Sequence, residues 1–248
     1  MSGHSKWAQI KRQKGAADAR RGQLFTKLGR EIAVAARDGA DPEGNSRLRL
    51  AVQRARDANM PMDTIERAIK RGAGAGDTAN YQEISYEGYG PGGVAILVDV
   101  LTDNRNRAAA EIRSVFNRNG GSLAESGSVR WLFEQRGVVV LELDGEDPDE
   151  VGLMAIDAGA DDVQVDDGEL QVYTAPGREE EVRAALEKQG FPVASSETAM
   201  IPTTSVPLDE HAAEQTMRLM DRLEELDDVQ RVYSNSALSD EVAAALAG

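Results

Sequence analysis

The sequence predicts an α+β protein in which an N-terminal three-helix basic domain precedes two α/β domains, one inserted into the other. Three observations support this prediction. Residues 1–76 hold 16 basic and 8 acidic residues, whereas residues 77–248 hold 12 basic and 35 acidic residues. Apolar residues recur at helical spacing before the Gly-rich stretch at 72–77 and alternate like strands after it. Residues 136–199 then show the order βαββαβ, which is typical of a ferredoxin-like unit.

The N-terminal arm at residues 2–15 is too polar to bury much surface. A basic arm suits contact with phosphates, and Trp7 within it could either stack on a base or pack against its own domain. Both roles of Trp7 stay open at this point. The cationic side chains of the arm are Lys6, Lys11, Arg12 and Lys14.

The first helix is predicted at residues 17–38, where Leu24, Leu28, Ile32 and Ala35 recur at helical spacing. A neighbouring stripe of this helix is cationic, so that one face belongs to the core and the next can meet an anion. The candidate nucleic-acid-binding side chains of this helix are Arg20, Arg21, Lys27 and Arg30.

The second helix is predicted at residues 46–59. Asn45 or Ser46 is positioned to act as its N-cap, and Met60-Pro61 follows its last turn. Apolar residues at helical spacing form one face of this helix, and arginines flank that face in heptad-spaced pairs.

The third helix is predicted to begin at Asp63, whose spacing to Glu66 resembles a capping box, and to end at Gly72. Its apolar residues face inward, and Lys70 and Arg71 are assigned to an outward, nucleic-acid-binding surface. A three-helix unit with basic outer faces and a basic arm could enter a nucleic-acid groove. Alternatively, it could dock onto the acidic domains of the same chain.

The first part of the acidic body predicts strand, helix and strand. Strands are expected at residues 81–87 and 94–101, joined by a turn at Gly88–Gly93. A helix is expected at 104–119, and further strand at 123–133 with a break at a glycine. These elements form one half of a discontinuous α+β domain.

The second part of the body contains the inserted unit. Its elements are a strand at 138–143, a helix at 148–158, strands at 163–165 and 170–173, a helix at 179–189 and a strand at 192–196. A strand near 199–206, a helix at 209–226 and a strand at 229–233 follow. These last elements cannot make a domain alone, and we expect them to complete the sheet begun earlier. The predicted domains are 1–76, 77–134 together with 200–248, and 135–199.

Composition excludes several classes of chemistry. The chain has no cysteine, which excludes disulfides, thiolate metal sites and cysteine nucleophiles. His4 and His211 are the only histidines, so multi-histidine zinc sites and a Ser/His/Asp triad are not expected. The longest apolar runs are far too short for a membrane span, and the N-terminus lacks a secretory apolar segment. We expect a soluble, intracellular monomer without cofactor, metal site or membrane contact.

Three polar or Gly-rich segments are candidate binding sites. At the strand-to-helix junction Asp103–Arg107, Arg105 and Arg107 could hold phosphate with help from the helix N-terminus, or the junction could be a helix cap with solvated arginines. Gly88–Gly93 lacks the spacing of a nucleotide-binding loop. The acidic segment Asp144–Glu150 lacks EF-hand spacing and is expected to be solvated.

The chain resembles the YebC/PmpR family along nearly its whole length. The segments that carry the resemblance are Ser2-Gly-His-Ser-Lys-Trp-Ala-Gln-Ile-Lys11, Arg21-Gly-Gln-Leu-Phe-Thr-Lys-Leu28, Asn59-Met-Pro-Met-Asp-Thr-Ile-Glu-Arg-Ala-Ile-Lys-Arg-Gly72, Tyr86-Glu-Gly-Tyr-Gly-Pro-Gly-Gly-Val94, Thr102-Asp-Asn-Arg-Asn-Arg107, Gly120-Gly-Ser-Leu123 and Gly127-Ser-Val129. The resemblance implies three domains, one of them inserted, and a non-enzymatic cytoplasmic factor. Members are described as DNA-binding transcriptional regulators, and others as translation factors acting at the ribosome.

The net charge of −15 would by itself argue against a nucleic-acid partner. Divided at the Gly-rich linker, the same charge separates into a cationic domain and an acidic body. We therefore expect contact with DNA or ribosomal RNA through the first 76 residues, with Arg105 and Arg107 as possible additions. A factor bound to the ribosome and a module that binds proteins only are also consistent with this sequence.

Overall fold

The structure is a computed structural model that describes residues 17–74, 81–143, 145–166 and 168–247. It confirms the mixed class: N-terminal helices are followed by segments in which helices and strands alternate. The helices are α1 (Ala17–Ala35), α2 (Ser46–Asp57), α3 (Met62–Ala73), α4 (Arg105–Arg118), α5 (Pro148–Asp157), α6 (Glu179–Lys188), α7 (Glu210–Glu224) and α8 (Asp240–Ala247). The strands are β1 (Gln82–Tyr89), β2 (Ala95–Thr102), β3 (Ser122–Leu123), β4 (Phe133–Glu142), β5 (Asp162–Asp166), β6 (Glu169–Thr174), β7 (Val193–Pro202), β8 (Val206–Pro207), β9 (Val229–Ser234) and β10 (Ser236–Ala237).

The chain divides into two compact units. The first unit contains the described parts of residues 1–27, 77–134 and 201–248, and the second contains those of residues 28–76 and 135–200. The boundary near residue 27 falls within α1. The division into three domains stays a prediction.

Local sequence accounts for the join between α1 and α2. Asn45 is the N-cap of α2, as predicted, and its side-chain oxygen accepts the Leu48 N–H at 3.0 Å. The amide nitrogen of the same side chain donates to the carbonyl oxygens of Ala35 and Gly39, both at 2.8 Å. One side chain therefore satisfies the end of one helix and the start of the next.

Three predictions for the helical region are wrong. The capping box at Asp63 does not form, because α3 begins one residue earlier, after Pro61, and has no side-chain cap. Gly72 does not end α3: it is buried inside the helix, where a Cβ would overlap the Ala33 carbonyl oxygen. The glycine is needed for close helix approach. Leu24, predicted to be core, is 44% exposed.

In the first unit, a four-stranded sheet has the order β3-β1-β2-β9. Strands β1 and β2 form an antiparallel hairpin in which Glu87 lies opposite Leu97. Helices α4 and α7 supply Phe116, Leu219 and Leu223 to the core on one face of the sheet. A two-stranded parallel sheet of β8 and β10 completes this unit.

In the second unit, the order β5-β6-β4-β7 realises the predicted βαββαβ pattern. Its core contains Val139, Leu141, Leu170, Val182 and Leu186. Helices α5 and α6 supply one side of this core, and the sheet supplies the other.

Two predicted strand boundaries in the body are wrong. The strand expected at 123–133 is reduced to β3, followed by a loop and a 3-10 turn at Arg130–Leu132. The separate strands expected at 192–196 and near 199–206 are instead mostly one strand, β7. The first error arises because the side chain of Glu87, distant in sequence, takes up backbone N–H groups that a strand would pair.

Candidate nucleic-acid interface

The predicted arm lies outside the described residues, and so do its five assigned side chains. These are Lys6, Trp7, Lys11, Arg12 and Lys14. Arg20 lies on α1 with its side chain undescribed. The assignment of these six residues to nucleic acid stays a prediction.

In the first unit, α1 contributes Arg21 and Lys27. Arg21 is exposed, and its guanidinium carbon lies 5.8 Å from the centroid of the Phe25 ring. Lys27 is half-buried, and its Nζ donates to the carbonyl oxygen of Glu224, the last residue of α7. A cation at the C-terminus of a helix is electrostatically stabilised there. Lys27 therefore has a structural contact, while Arg21 remains accessible.

In the second unit, the structure brings together three predicted residues. The Nη2 of Arg71 donates to the carbonyl oxygen of Gly29 at 3.2 Å, which places the last turn of α3 beside the residue that precedes Arg30. Lys70 is exposed on the same turn of α3. Arg30, Lys70 and Arg71 therefore lie on adjacent turns of two packed helices, although they are distant in sequence.

Other basic residues of the second unit are used internally. Arg54 Nη1 lies 2.7 Å from both carboxylate oxygens of Glu31, and Arg54 Nε lies 3.4 Å from Glu197. Arg183 forms two hydrogen bonds with the Asp57 carboxylate, at 3.0 and 3.2 Å. The Arg54–Glu197 and Arg183–Asp57 pairs join residues 28–74 to the 135–200 segment, so part of the basic charge does dock onto the acidic segment of the same chain. They involve none of the residues assigned to nucleic acid.

The Asp103–Arg107 junction is a capped helix start. The Asn104 side chain accepts the Arg107 N–H at 3.1 Å, and the Thr102 hydroxyl accepts the Asn104 N–H at 3.0 Å. Arg105, the first residue of α4, is exposed, and its side chain bonds to no described residue. Of the two arginines assigned here, Arg105 is therefore the one that is accessible to an anion.

Arg107 is held by two carboxylates. Its Nη2 lies 2.7 Å from Asp228 and 2.8 Å from Asp103, and the buried Asp228 also accepts the Thr102 hydroxyl at 2.8 Å. The hydrogen bond to Asp228, followed by that to Asp103, holds the pKa of Arg107 above its usual range. The guanidinium therefore ties the start of α4 to the turn before β9. Its assignment to phosphate stays a prediction, and phosphate would have to compete with both carboxylates.

Sequence reasoning missed a buried carboxylate on β1. One oxygen of Glu87 accepts the Gly127 N–H at 2.7 Å, and the other accepts those of Val129 and Arg130 at 2.7 and 2.8 Å. Burial raises the pKa of Glu87, but the three backbone N–H groups outweigh it, so the pKa lies below the ordinary value. This one side chain organises the loop that follows β3.

The loop exposes an aromatic residue that the sequence analysis also missed. Trp131 is 71% exposed, and its indole N–H donates to the Ser128 carbonyl oxygen at 3.0 Å. The Tyr89 hydroxyl donates to the same oxygen at 3.4 Å. Nothing in the local pattern marks Trp131, because a tryptophan beside Leu132 and Phe133 is indistinguishable from a core residue.

Neither a metal-binding cluster nor a membrane-spanning helix is present among the described residues. Among them, no group of three or more acidic or histidine side chains is arranged to hold a metal ion. In the same part of the chain, no helix has the length and apolarity required to cross a bilayer. His211 lies exposed on α7 and shares a hydrogen bond with Gln215 at 3.1 Å.

The chain is similar to known proteins along nearly its whole length. The model of the TACO1/YebC N-terminal domain matches residues 5–75, and that of the TACO1/YebC second and third domain matches residues 81–236. A probable transcriptional regulatory protein of Dehalococcoides mccartyi (strain CBDB1) is 56% identical over 243 residues, covering 98% of this chain and 97% of that protein. Another, from Rubrobacter xylanophilus, is 55% identical and covers 100% of both chains. A solved structure of a conserved hypothetical protein from Aquifex aeolicus has a TM-score of 0.81 and 45% identity, covering 90% of this chain and 93% of that chain.

Proposed function

This chain belongs to the TACO1/YebC family, and from that premise we propose that it is a non-enzymatic regulatory factor that binds DNA through its basic N-terminal region. The full-length relatives that are named probable transcriptional regulatory proteins support a regulatory role. The proposal includes action as a monomer in the cytoplasm. Ribosomal RNA is the competing target, and binding and crosslinking experiments separate the two.

The observation that supports the proposal is the division of charge. Residues 1–76 carry twice as many basic as acidic residues, while the rest of the chain is strongly acidic. In the described part of that region, Arg21, Lys70 and Arg71 are exposed. Phosphate contacts by such residues release condensed counterions, which makes binding steeply dependent on salt. The net negative charge of the acidic body repels a polyanion, which favours contact through the N-terminal region.

The arm is tested by reversing its charge. Lys11, Arg12 and Lys14 are changed together to Glu, and affinity for duplex DNA and for ribosomal RNA is measured against salt concentration. If each residue neutralises one phosphate, the slope of log K against log salt becomes less steep by about 2–3. A matched control reverses three exposed arginines of the body, Arg178, Arg218 and Arg222, and should leave the slope unchanged. Unchanged binding of both nucleic acids by the arm variant would refute the assignment.

The target is decided in cells. Crosslinking followed by sequencing of both DNA and RNA should show enrichment at promoters if the protein regulates transcription. Enrichment confined to ribosomal RNA would replace the DNA proposal with a translation factor acting at the ribosome. The arm variant serves as the control, because it should lose whichever enrichment the natural sequence shows.

A second candidate function is binding of a protein partner by the inserted segment. Leu153 and Ile156 lie three residues apart on α5 and are 68% and 42% exposed, and Val165 on the edge strand β5 is 48% exposed. Exposed carboxylates adjoin them in sequence, among them Glu150, Asp157 and Asp162. An apolar centre with an acidic rim fits a basic amphipathic segment. A nuclease-treated purification should retain such a partner with the natural chain and lose it with Leu153→Ser/Ile156→Ser, without loss of affinity for nucleic acid. A partner retained equally by both chains would exclude this surface.

A further inference from the structure

Trp131 presents a large ring to water in the first unit. Among the described large apolar side chains of the chain, it is the most exposed. Buried and half-exposed aromatic residues are ordinary, whereas an indole that is 71% exposed leaves an apolar surface without a covering group. Its ring face is therefore open to a ligand.

The ring is held in one orientation. Its N–H donates to the Ser128 carbonyl oxygen at 3.0 Å, and the Tyr89 hydroxyl reaches the same oxygen at 3.4 Å. The polar edges of two aromatic side chains thus converge on one acceptor. Tyr89 is itself 40% exposed, so that both rings are partly open to water.

The supporting loop is rigidly anchored at several points. Gly88 faces α4, because a Cβ there would lie 2.6 Å from the Phe116 ring. Glu87 and Tyr89 therefore point to the opposite face of β1, where the loop lies. Glu87 accepts three N–H groups of this loop, and the Leu132 carbonyl oxygen accepts the Thr203 N–H at 2.8 Å. A side chain on such a loop is preorganised, so ligand binding loses little conformational entropy in ordering it.

An exposed arginine adjoins Trp131 in a segment whose net charge is positive. Residues 103–133 contain five arginines and three carboxylates. Arg130, which directly precedes Trp131, is exposed, and its Nη1 donates to the Phe133 carbonyl oxygen at 3.1 Å.

We propose that Trp131 and Tyr89 form a stacking site for an unpaired nucleobase, with the exposed Arg130 beside Trp131 as the adjoining cation. Aromatic side chains beside a cation are the usual means of binding single-stranded nucleic acid, because every base has a π-face. A protein partner would call for a wider apolar surface, whereas the neighbours of Trp131 in the loop include Ser126, Gly127 and Arg130. A base within a duplex cannot reach the ring, so the ligand is a single strand, loop or bulge.

This inference rests on the proposed function and extends it to the acidic body, where the charge count had placed only Arg105 and Arg107. It makes the protein a binder of two elements: a phosphate backbone at its N-terminal region and an unpaired base at the first unit. Melted promoter DNA and a looped RNA both offer such a base. The chemistry is shared, and parallel titrations with DNA and RNA distinguish the two sources.

The test uses the two tryptophans of the chain. In full-length protein with Trp7→Phe, Trp131 is the only indole, and its fluorescence is titrated with single-stranded DNA, single-stranded RNA and a duplex of matched sequence. Stacking should quench Trp131 with the single strands and not with the duplex. In the converse variant, Trp131→Phe, the remaining indole reports on the arm alone.

Affinity for single strands supplies the second readout. Trp131→Leu should weaken binding by about tenfold, since stacking on one base is worth on the order of 1–3 kcal/mol. Trp131→Phe should retain most of the affinity, and binding to duplex should not change in either variant. Substitution of so exposed a side chain should leave the fold intact, which circular dichroism checks.

The outcomes separate this inference from the proposed function. If the protein binds duplex in a salt-dependent manner but Trp131 is neither quenched nor needed for single strands, only the stacking site is refuted. If the protein binds no nucleic acid in any form, both the proposed function and the stacking site are refuted. Quenching by a single strand that Trp131→Leu does not weaken would also overturn the stacking site.

Discussion

Two mostly buried arginines of the second unit and the arginines of α4 in the first unit have different surroundings. In the second unit, Arg54 and Arg183 are directed at carboxylates and are largely shielded from water. In the first unit, Arg105, Arg113 and Arg118 of α4 are exposed, and their side chains bond to no described residue. Only Arg107 of that helix is held by carboxylates. The other arginines of α4 are thus more accessible to an anion than Arg54 and Arg183 of the second unit.

The difference teaches that a charge count is a poor guide to an interface. An arginine that already makes a bidentate pair must lose that pair before it can bind phosphate, and its partner would be left unpaired in a partly buried site. An exposed arginine gives up only solvent and counterions. The distinction depends on which carboxylates the fold brings near each arginine, and substitutions in both units test it.

The largest effect is expected at the Asp57–Arg183 pair of the second unit. The two side chains are 15% and 11% exposed, so Asp57→Asn leaves a guanidinium largely buried with a weakened partner. The free energy of unfolding should fall by about 3 kcal/mol, the lower end for a broken buried pair, because Arg183 keeps its bond to Glu187. Urea denaturation measures the change.

Asp63→Asn is the matched control for that prediction. Its partner Arg67 is 71% exposed, and the free energy of unfolding should change by about 0.5 kcal/mol or less. Equal effects of Asp57→Asn and Asp63→Asn would mean that the second unit does not use its arginines structurally.

The helix contact that positions Lys70 and Arg71 comes next. Gly72→Ala places a methyl group onto the Ala33 carbonyl oxygen, and backbone cannot yield as a flexible side chain can. We expect a loss of about 2 kcal/mol in the free energy of unfolding from overpacking, measured by urea denaturation. Gly74→Ala is a suitable control, because its Cβ would lie at least 3.4 Å from any described neighbour. A stable Gly72→Ala protein would show that α1 and α3 are not closely packed.

The third effect concerns the loop that holds Trp131. Glu87→Gln replaces one accepting carboxylate oxygen by an NH2 group, which cannot accept a hydrogen bond from the backbone N–H groups that face it. The free energy of unfolding should therefore fall by about 1–2 kcal/mol at neutral pH. Because the folded pKa of Glu87 is lowered, its ionisation stabilises the fold above the unfolded pKa of about 4.3, and this contribution is lost as pH falls through the folded pKa.

The pH dependence is measured as a difference between two chains. Thermal unfolding of the natural sequence and of Glu87→Gln is compared from neutral pH downward. The contributions of the other carboxylates to the pH dependence then cancel in the difference between the two chains. The difference in stability should be constant above about pH 5 and should shrink below the ordinary glutamate pKa of about 4.3. A difference that stays constant in acid would show that ionised Glu87 does not stabilise the loop.

The smallest effects distinguish the two arginines at the start of α4. Arg105→Ala should leave the thermal midpoint unchanged and make the salt dependence of nucleic-acid binding less steep by about 1 if Arg105 contacts one phosphate. Arg107→Ala should lower the thermal midpoint, because Asp228 loses a bonded cation, and should leave the salt dependence unchanged. The reverse pattern would mean that Arg107 is the phosphate ligand and would break the distinction between paired and accessible arginines.

Much of the fold was predictable because its signals are local. Helical spacing located α1, α2 and α4, and the short polar side chain of Asn45 marked a helix start. The sequence pattern also placed the six elements of the inserted unit in their correct order. The capping box at Asp63 failed because Pro61 already starts α3, and a local pattern cannot show which of two adjacent starts is used.

The candidate site was predictable only in part. The accessible Lys70 and the basic character of the N-terminal region followed from charge and periodicity. The pairing of Arg107 with Asp228 joins residues far apart in sequence, and so does the capture of the 127–130 backbone by Glu87. No local pattern encodes such contacts. Trp131 could not be distinguished from a core residue for the same reason.

The amino-acid sequence by itself determined the order of the helices and strands and the separation of basic from acidic segments, because periodicity and charge are properties of neighbouring residues. Tertiary structure decided which arginines pair with carboxylates, which glycine allows two helices to pack closely, and which aromatic ring is exposed to solvent. Each of those outcomes depends on groups that folding brings together from distant positions, where burial and hydrogen bonding determine what remains available to a ligand.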